Sequence, residues 1–184
     1  MKATISIIAI IFTFLSARAQ GDVEKLLFSD INNHRDSMGL AKLQWDSSAY
    51  KVAKHHADYL AIINNTKYHT GLITHDEKID VENFQEYNFS KRMDFFIRKN
   101  VYASENVCAL GVPNNFSDSL LAITSLKSWL ASKKGHRENV ENKKSTNGAC
   151  AISYALVDYT TTTKLFGKIT TRVKMSYAVF VAYY

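Results

Sequence analysis

The chain has 184 residues, a formal net charge of +6 and 46% hydrophobic residues. Lysines and arginines are scattered, with small pairs at Lys133-Lys134 and Lys143-Lys144, so the basic stripe of a nucleic-acid binder is absent. Only two cysteines occur, Cys108 and Cys150, which excludes a dense disulfide scaffold. One bridge between them, or two buried thiols, both remain open; a bridge would close a loop of about 40 residues and contribute roughly 2–4 kcal/mol.

The start of the chain reads as a secretory signal peptide over residues 1–19. Lys2 gives a positive entry, residues 5–15 are almost wholly apolar, and Ala17 and Ala19 place small residues at the −3 and −1 positions of a cleavage site after Ala19. The apolar run is too short to span a bilayer. No cysteine follows it directly, which argues against a lipoprotein signal. Residues 20–184, with net charge +4, are read as one domain of a secreted protein, periplasmic or extracellular, with no later transmembrane segment.

In chain order, the first element is a helix over residues 22–37. Val23, Leu26, Leu27 and Ile31 recur at helical spacing, Asp22 suits the cap and Gly39 the stop. The stretch Leu40 to Trp45 reads as a short link. Asp46 then caps a second helix over 47–63, whose face of Ala49, Val52, Ala53, His56, Ala57 and Leu60 invites close packing. Residues 64–91 are rich in Asn, Thr, Gly and Asp and read as loops. A short helix is expected within residues 92–100. Another follows within 114–134, with Leu120, Ile123, Leu126, Trp129 and Leu130 as its apolar stripe and Gly135 as its end. The tail turns to β-branched and aromatic residues and reads as about three antiparallel strands. Helices first and strands later argue an α+β fold with a layered core.

Six histidines are present. His34 and His55 are read as surface residues and His56 as a hydrogen-bonded packing residue. His69, His75 and His136 fall in loops or at helix ends, where imidazoles can converge on a cleft. The zincin motif, a Cys/His cluster, a nucleophile-elbow serine and a phosphate-binding glycine loop are all absent from the sequence. Glu105-Asn106-Val107 and Glu138-Asn139-Val140 repeat three residues in unlike settings, so no internal repeat is inferred. Val107 and Val140 are read as core, Asn106 and Asn139 as local backbone ties, Arg137 as a partner of a carboxylate or carbonyl, Glu138 as solvent-facing and Trp129 as core.

Taken in order, several segments resemble the CAP superfamily (cysteine-rich secretory, antigen 5 and pathogenesis-related proteins) in its bacterial SCP-like form. They are Ile31-Asn32 with Arg35; Gly39, Leu40, Leu43, Trp45 and Asp46; Ala49, Ala53, His56, Ala57 and Leu60; Thr74-His75; Ser104 to Val107; and Trp129 followed by Gly135-His136-Arg137. Asn147 to Ile152 and the closing aromatic strand fit as well. Ser104 departs from the family's usual glycine, and residues 78–103 and the tail after Tyr154 match poorly in detail.

The resemblance implies a three-layer α-β-α sandwich around a small antiparallel sheet, and a cleft holding His75, Glu105 and His136. His69 is the fallback histidine. It further implies lipid, sterol or protein binding, with proteolysis suggested for some members. No residue maps onto the second glutamate that some members carry. Two imidazoles and a carboxylate suit a divalent cation such as zinc, a polar ligand, or acid–base work. Three functions follow as expectations: an extracytoplasmic ligand-binding or interaction module for a small molecule, lipid, envelope polymer or protein; a zinc-dependent hydrolase of peptide or envelope substrates; or a structural secreted protein with a vestigial cleft. No nucleic-acid partner is expected.

Overall fold

The computed structural model describes residues 22–68, 70–78, 81, 84, 87–97, 100–163 and 167–184. The proposed signal segment and His69 lie outside the described residues. Helix α1 covers residues 22–37, and Gly39 follows it with φ +69°. Asp22, expected as the cap of α1, is itself helical. A two-residue strand, β1 (Gln44–Trp45), replaces the expected plain link. It is held there by Asn32, whose side-chain amide accepts from the Leu43 N–H and donates to the Leu43 carbonyl. Helix α2 (Ser47–Ile63) begins where the sequence places it, with the Asp46 carboxylate accepting from the Ala49 N–H.

Helix α3 (Phe89–Phe96) starts three residues ahead of its expected place, because Asn88 caps it by accepting from the Lys91 N–H. Strand β2 (Ala103–Gly111), helix α4 (Asp118–Ala131) and the short helix α5 (His136–Val140) follow. The buried stripe of α4 is Leu121, Ala122, Ser125, Leu126 and Trp129; Leu126 and Trp129 lie on it as expected, Ile123 and Leu130 are half-buried, and Leu121 rather than the exposed Leu120 turns inward. Gly135 does not end α4; with φ +88° it turns the chain into α5. The tail forms two long strands rather than three, β3 (Asn147–Thr163) and β4 (Gly167–Tyr183), paired antiparallel along their whole length.

The sheet order is β1-β3-β4-β2, with only β1 parallel to its neighbour. Alternation sorts its side chains into two cores. Val107, Ala149, Ala151, Tyr177, Val179 and Val181 pack with α2 and α3. Cys108, Cys150, Ile152, Ala178 and Phe180 pack with α1 and α4. This is the α-β-α sandwich, and Trp129 lies wholly buried against Phe180 in its second layer. Past Gly111 and Met175, where β2 ends, β3 and β4 continue as an exposed two-stranded ribbon.

The possible Cys108–Cys150 bridge is not formed: both thiols are free and buried. The register explains why. Cys108 faces Ala178, and Ala178 faces Ile152, so β4 lies between the two cysteines and they are also offset by two residues. Two strand spacings alone are about 9.5 Å, beyond the roughly 7 Å that a disulfide spans between Cα atoms.

Gly148 is a point of close approach. A Cβ there would lie 2.8 Å from the Val181 carbonyl oxygen and 3.4 Å from Leu43 and Phe180 side-chain atoms. Backbone cannot yield as a side-chain tip can. Gly148→Ala is therefore expected to cost about 1–3 kcal/mol in urea unfolding; an unchanged midpoint would count against this packing.

Candidate functional site

The site forms where loop, strand and helix meet at the outer edge of β2. Glu105 points to the α2 face by strand alternation, with its side chain almost wholly enclosed. His75 comes from the loop after α2. The Arg92 guanidinium donates to the His75 carbonyl at 3.0 Å, and the His56 ring lies 2.6 Å from the Thr74 carbonyl, so the loop is pinned on both sides of the Thr74–His75 peptide. Asn64 adds a third tie, to the Leu72 carbonyl. His136 opens α5, and the Asn106 side chain donates to its carbonyl at 2.8 Å. Asn139 donates to Asn106 and to the Glu105 carbonyl. The two asparagines of the repeated tripeptides are thus not local ties. They bond to each other across 33 residues and clamp α5 onto β2. Glu138 is exposed, and the Arg137 side chain donates to the Leu130 carbonyl.

His75, Glu105 and His136 are brought together. His75 Nδ1 lies 2.9 Å from Glu105 Oε1, and the two imidazole rings are 6.5 Å apart between centroids. The two imidazoles line a cleft of about 450 Å³ with Ile73, Thr74, Val107 and Lys134, while Glu105 lies enclosed behind His75 and outside that lining.

Beneath the cleft lies a charged network that sequence reading missed. Arg92, fully buried on α3, places Nη2 2.9 and 2.8 Å from the two Glu105 oxygens and Nη1 3.4 Å from Glu77. Glu77 also accepts from His56 at 2.9 Å and lies 3.2 Å from His55. Both His56 nitrogens face acceptors, the Glu77 carboxylate and the Thr74 carbonyl. His55 is half-buried against Phe84 and Phe96 rather than on the surface, and His34 is tied to Glu141. Glu77, which the sequence reading did not single out, faces inward beneath the cleft, buried with Arg92 and His56.

Burial alone would raise the Glu105 pKa. The charge of His56, the bond from His75 and the Arg92 guanidinium outweigh it and hold the carboxyl below its usual range. Glu77 is lowered likewise, its burial outweighed by His55, His56 and Arg92. The bond to Glu105 raises the His75 pKa. Burial lowers that of His136, helped by the charges of His75 and Lys134.

The donor set does not fit a metal centre. Glu105 is taken up by Arg92 and His75, and among the described residues no group of three or more His, Cys, Asp and Glu side chains is arranged to hold a cation. The cleft is lined instead by two imidazoles and Lys134, with no carboxylate among its lining residues.

Residues 28–163 match the model of the cysteine-rich secretory protein (CAP) family. The chain belongs to the CAP family. Solved structures share its fold. An extracellular SCP-domain protein from Bacillus anthracis has 18% identity and a TM-score of 0.52, over 87% of this chain and 41% of its own. An outer surface protein from Borrelia burgdorferi has 17% identity and the same TM-score of 0.52, over 87% of this chain and 92% of its own. A cysteine-rich secretory protein from Staphylococcus aureus has 14% identity and a TM-score of 0.50, over 89% of this chain and 39% of its own. The chain thus spans about two fifths of the Bacillus and Staphylococcus proteins. No curated protein matches it. No helix among the described residues is long and apolar enough to cross a membrane.

Proposed function

We propose that this CAP protein is an extracytoplasmic ligand-binding module whose cleft captures an anionic group between His75, Lys134 and His136. The observation that carries this reading is the Arg92–Glu105 pair. Arg92 and His75 hold the Glu105 carboxylate enclosed, so the cleft is lined by Lys134 and the two imidazoles with no carboxylate among the lining residues. An anion there meets converging donors in a partly desolvated pocket, where such contacts are strongest. The secretory start of the chain and the extracellular descriptions of its fold relatives support a place outside the cytoplasm.

The pH dependence follows from the signs. His75, raised, carries charge to higher pH than a free imidazole; His136, lowered, gains its charge only in more acidic solution. Anion affinity should therefore climb as pH falls from about 8 to about 5.5, while the ligand carboxylate itself stays ionised. Acetate titrated against the histidine ring protons by NMR tests this. Both His75 and His136 should titrate at higher pH when acetate is bound, and Lys134→Ala should weaken binding severalfold. Histidine titrations indifferent to acetate would remove the reading.

A further inference from the structure

Strand β2 is the last strand of the sheet, and its register shows which backbone groups are left over. Tyr102 and Tyr184 exchange both N–H···O bonds, and the Val112 N–H donates to Lys174. In an antiparallel ladder such pairs alternate. The even residues 104, 106, 108 and 110 therefore bond to β4, and the odd ones turn their N–H and C=O outward. At Glu105 the outward carbonyl is covered by Asn139. At Val107 and Ala109 no described residue takes up the outward pair. Ala109 is half-buried and Val107, which lines the cleft, keeps 5% of its surface exposed; an edge left unpaired in this way is a template for another strand.

Two pockets flank those two residues on the α2 face. Val107 lines the cleft with His75, Lys134 and His136. Ala109 lines an apolar groove of about 210 Å³ with Ile73, Val157, Tyr159, Val173 and Met175. Ile73 belongs to both, so the pockets adjoin. One is lined by Val107 and the other by Ala109, two residues apart along one strand, which is also the repeat of side chains on one face of an extended peptide.

We propose that β2 receives an extended peptide segment of a partner protein as an added strand, with an acidic side chain in the cleft and an apolar side chain two residues away in the groove. This rests on the anionic-ligand reading and extends it: charge complementarity selects the acid, the groove selects its neighbour, and the edge of β2 supplies the backbone bonds. The ribbon of β3 and β4 beyond Met175 forms the wall of the groove, which gives that otherwise unsupported hairpin a surface to work with.

The test uses the purified chain and blocked hexapeptides with glutamate and leucine two positions apart, in both orders, compared with acetate by calorimetry. The peptide of the better order should bind at least tenfold more tightly than acetate. N-methylation of the residue whose N–H meets β2 should lower affinity by about tenfold, the effect of about one lost bond, and N-methylation of its neighbour should not. Ala109→Pro, which removes one outward N–H at the edge, should weaken the peptide and spare acetate. Equal binding of both methylated peptides overturns strand addition and leaves the anion cleft standing. A peptide no better than acetate overturns it too. If neither ligand binds, the cleft reading itself fails and takes this one with it.

Discussion

Replacing Arg92 by methionine is expected to destabilise the protein by about 3–5 kcal/mol, the cost of breaking a buried ion pair from one side. The magnitude follows from what is left behind. Glu105 and Glu77 remain enclosed with their main cation gone, and the carbonyls of His75 and Tyr87 lose their donor. For a chain of this size the midpoint of thermal unfolding should fall by roughly 10 °C. Lysine is not a substitute, since one ammonium cannot reach both glutamates and both carbonyls. Adding Glu105→Gln to Arg92→Met should recover part of the loss, because the two changes touch one network. The pH profile gives a second reading. In the native protein Glu105 and Glu77 titrate below their usual range, so they contribute stability above about pH 4.5 that is lost as pH falls through their lowered values. In Arg92→Met that acid dependence should shrink or invert. A variant within 1 kcal/mol of the native protein, with unchanged acid dependence, would show that Arg92 is not the base of the site.

Much of the fold was legible because its signals are local. Asp46 before an apolar stripe announced α2, and the β-branched, aromatic tail announced the sheet. The errors were also local. Leu120 and Leu121 are equally apolar, and only packing against the second core decides which turns inward. One hairpin turn too many was read because Lys168 and its threonine-rich surroundings lack the apolar alternation of Ser176–Tyr183; the strand continues there as an exposed ribbon. At the site, resemblance named His75, Glu105 and His136, which loops and strands separated by about 30 residues bring together. It did not reveal Arg92, because nothing in its short helix distinguishes an arginine aimed inward from one in solvent. Nor could spacing show that Cys108 and Cys150 flank a strand rather than each other. Strand order is a long-range property, and β4, which separates them, lies last in the chain.

The second large effect is expected at Arg35, which holds the far wall of the cleft without touching it. Its side chain is fully buried. Nε donates to the Ala41 carbonyl at 2.9 Å, Nη1 to Val140 and Asn142 at 2.8 and 3.0 Å, and Nη2 to Ser145 at 3.3 Å. Three of those four carbonyls belong to the segment that leads from α5 into β3, so one guanidinium fixes where α5 ends. Because α5 begins with His136, and only five residues long has little helical stability of its own, losing that anchor should release both ends. Arg35→Met is expected to cost about 3 kcal/mol or more, since bonds to a charged donor are worth about 1.5–3 kcal/mol each and the carbonyls stay buried. The distinguishing result is local. Amide exchange at Asn139, Val140 and Glu141 should quicken well beyond the change in global stability, and acetate affinity should fall although His75 and Glu105 keep their contacts. In Arg92→Met, by contrast, exchange in α5 should follow global stability alone. If Arg35→Met left acetate binding and α5 exchange unaltered, the position of His136 would have to be set by Asn106 and Asn139 without help from α1.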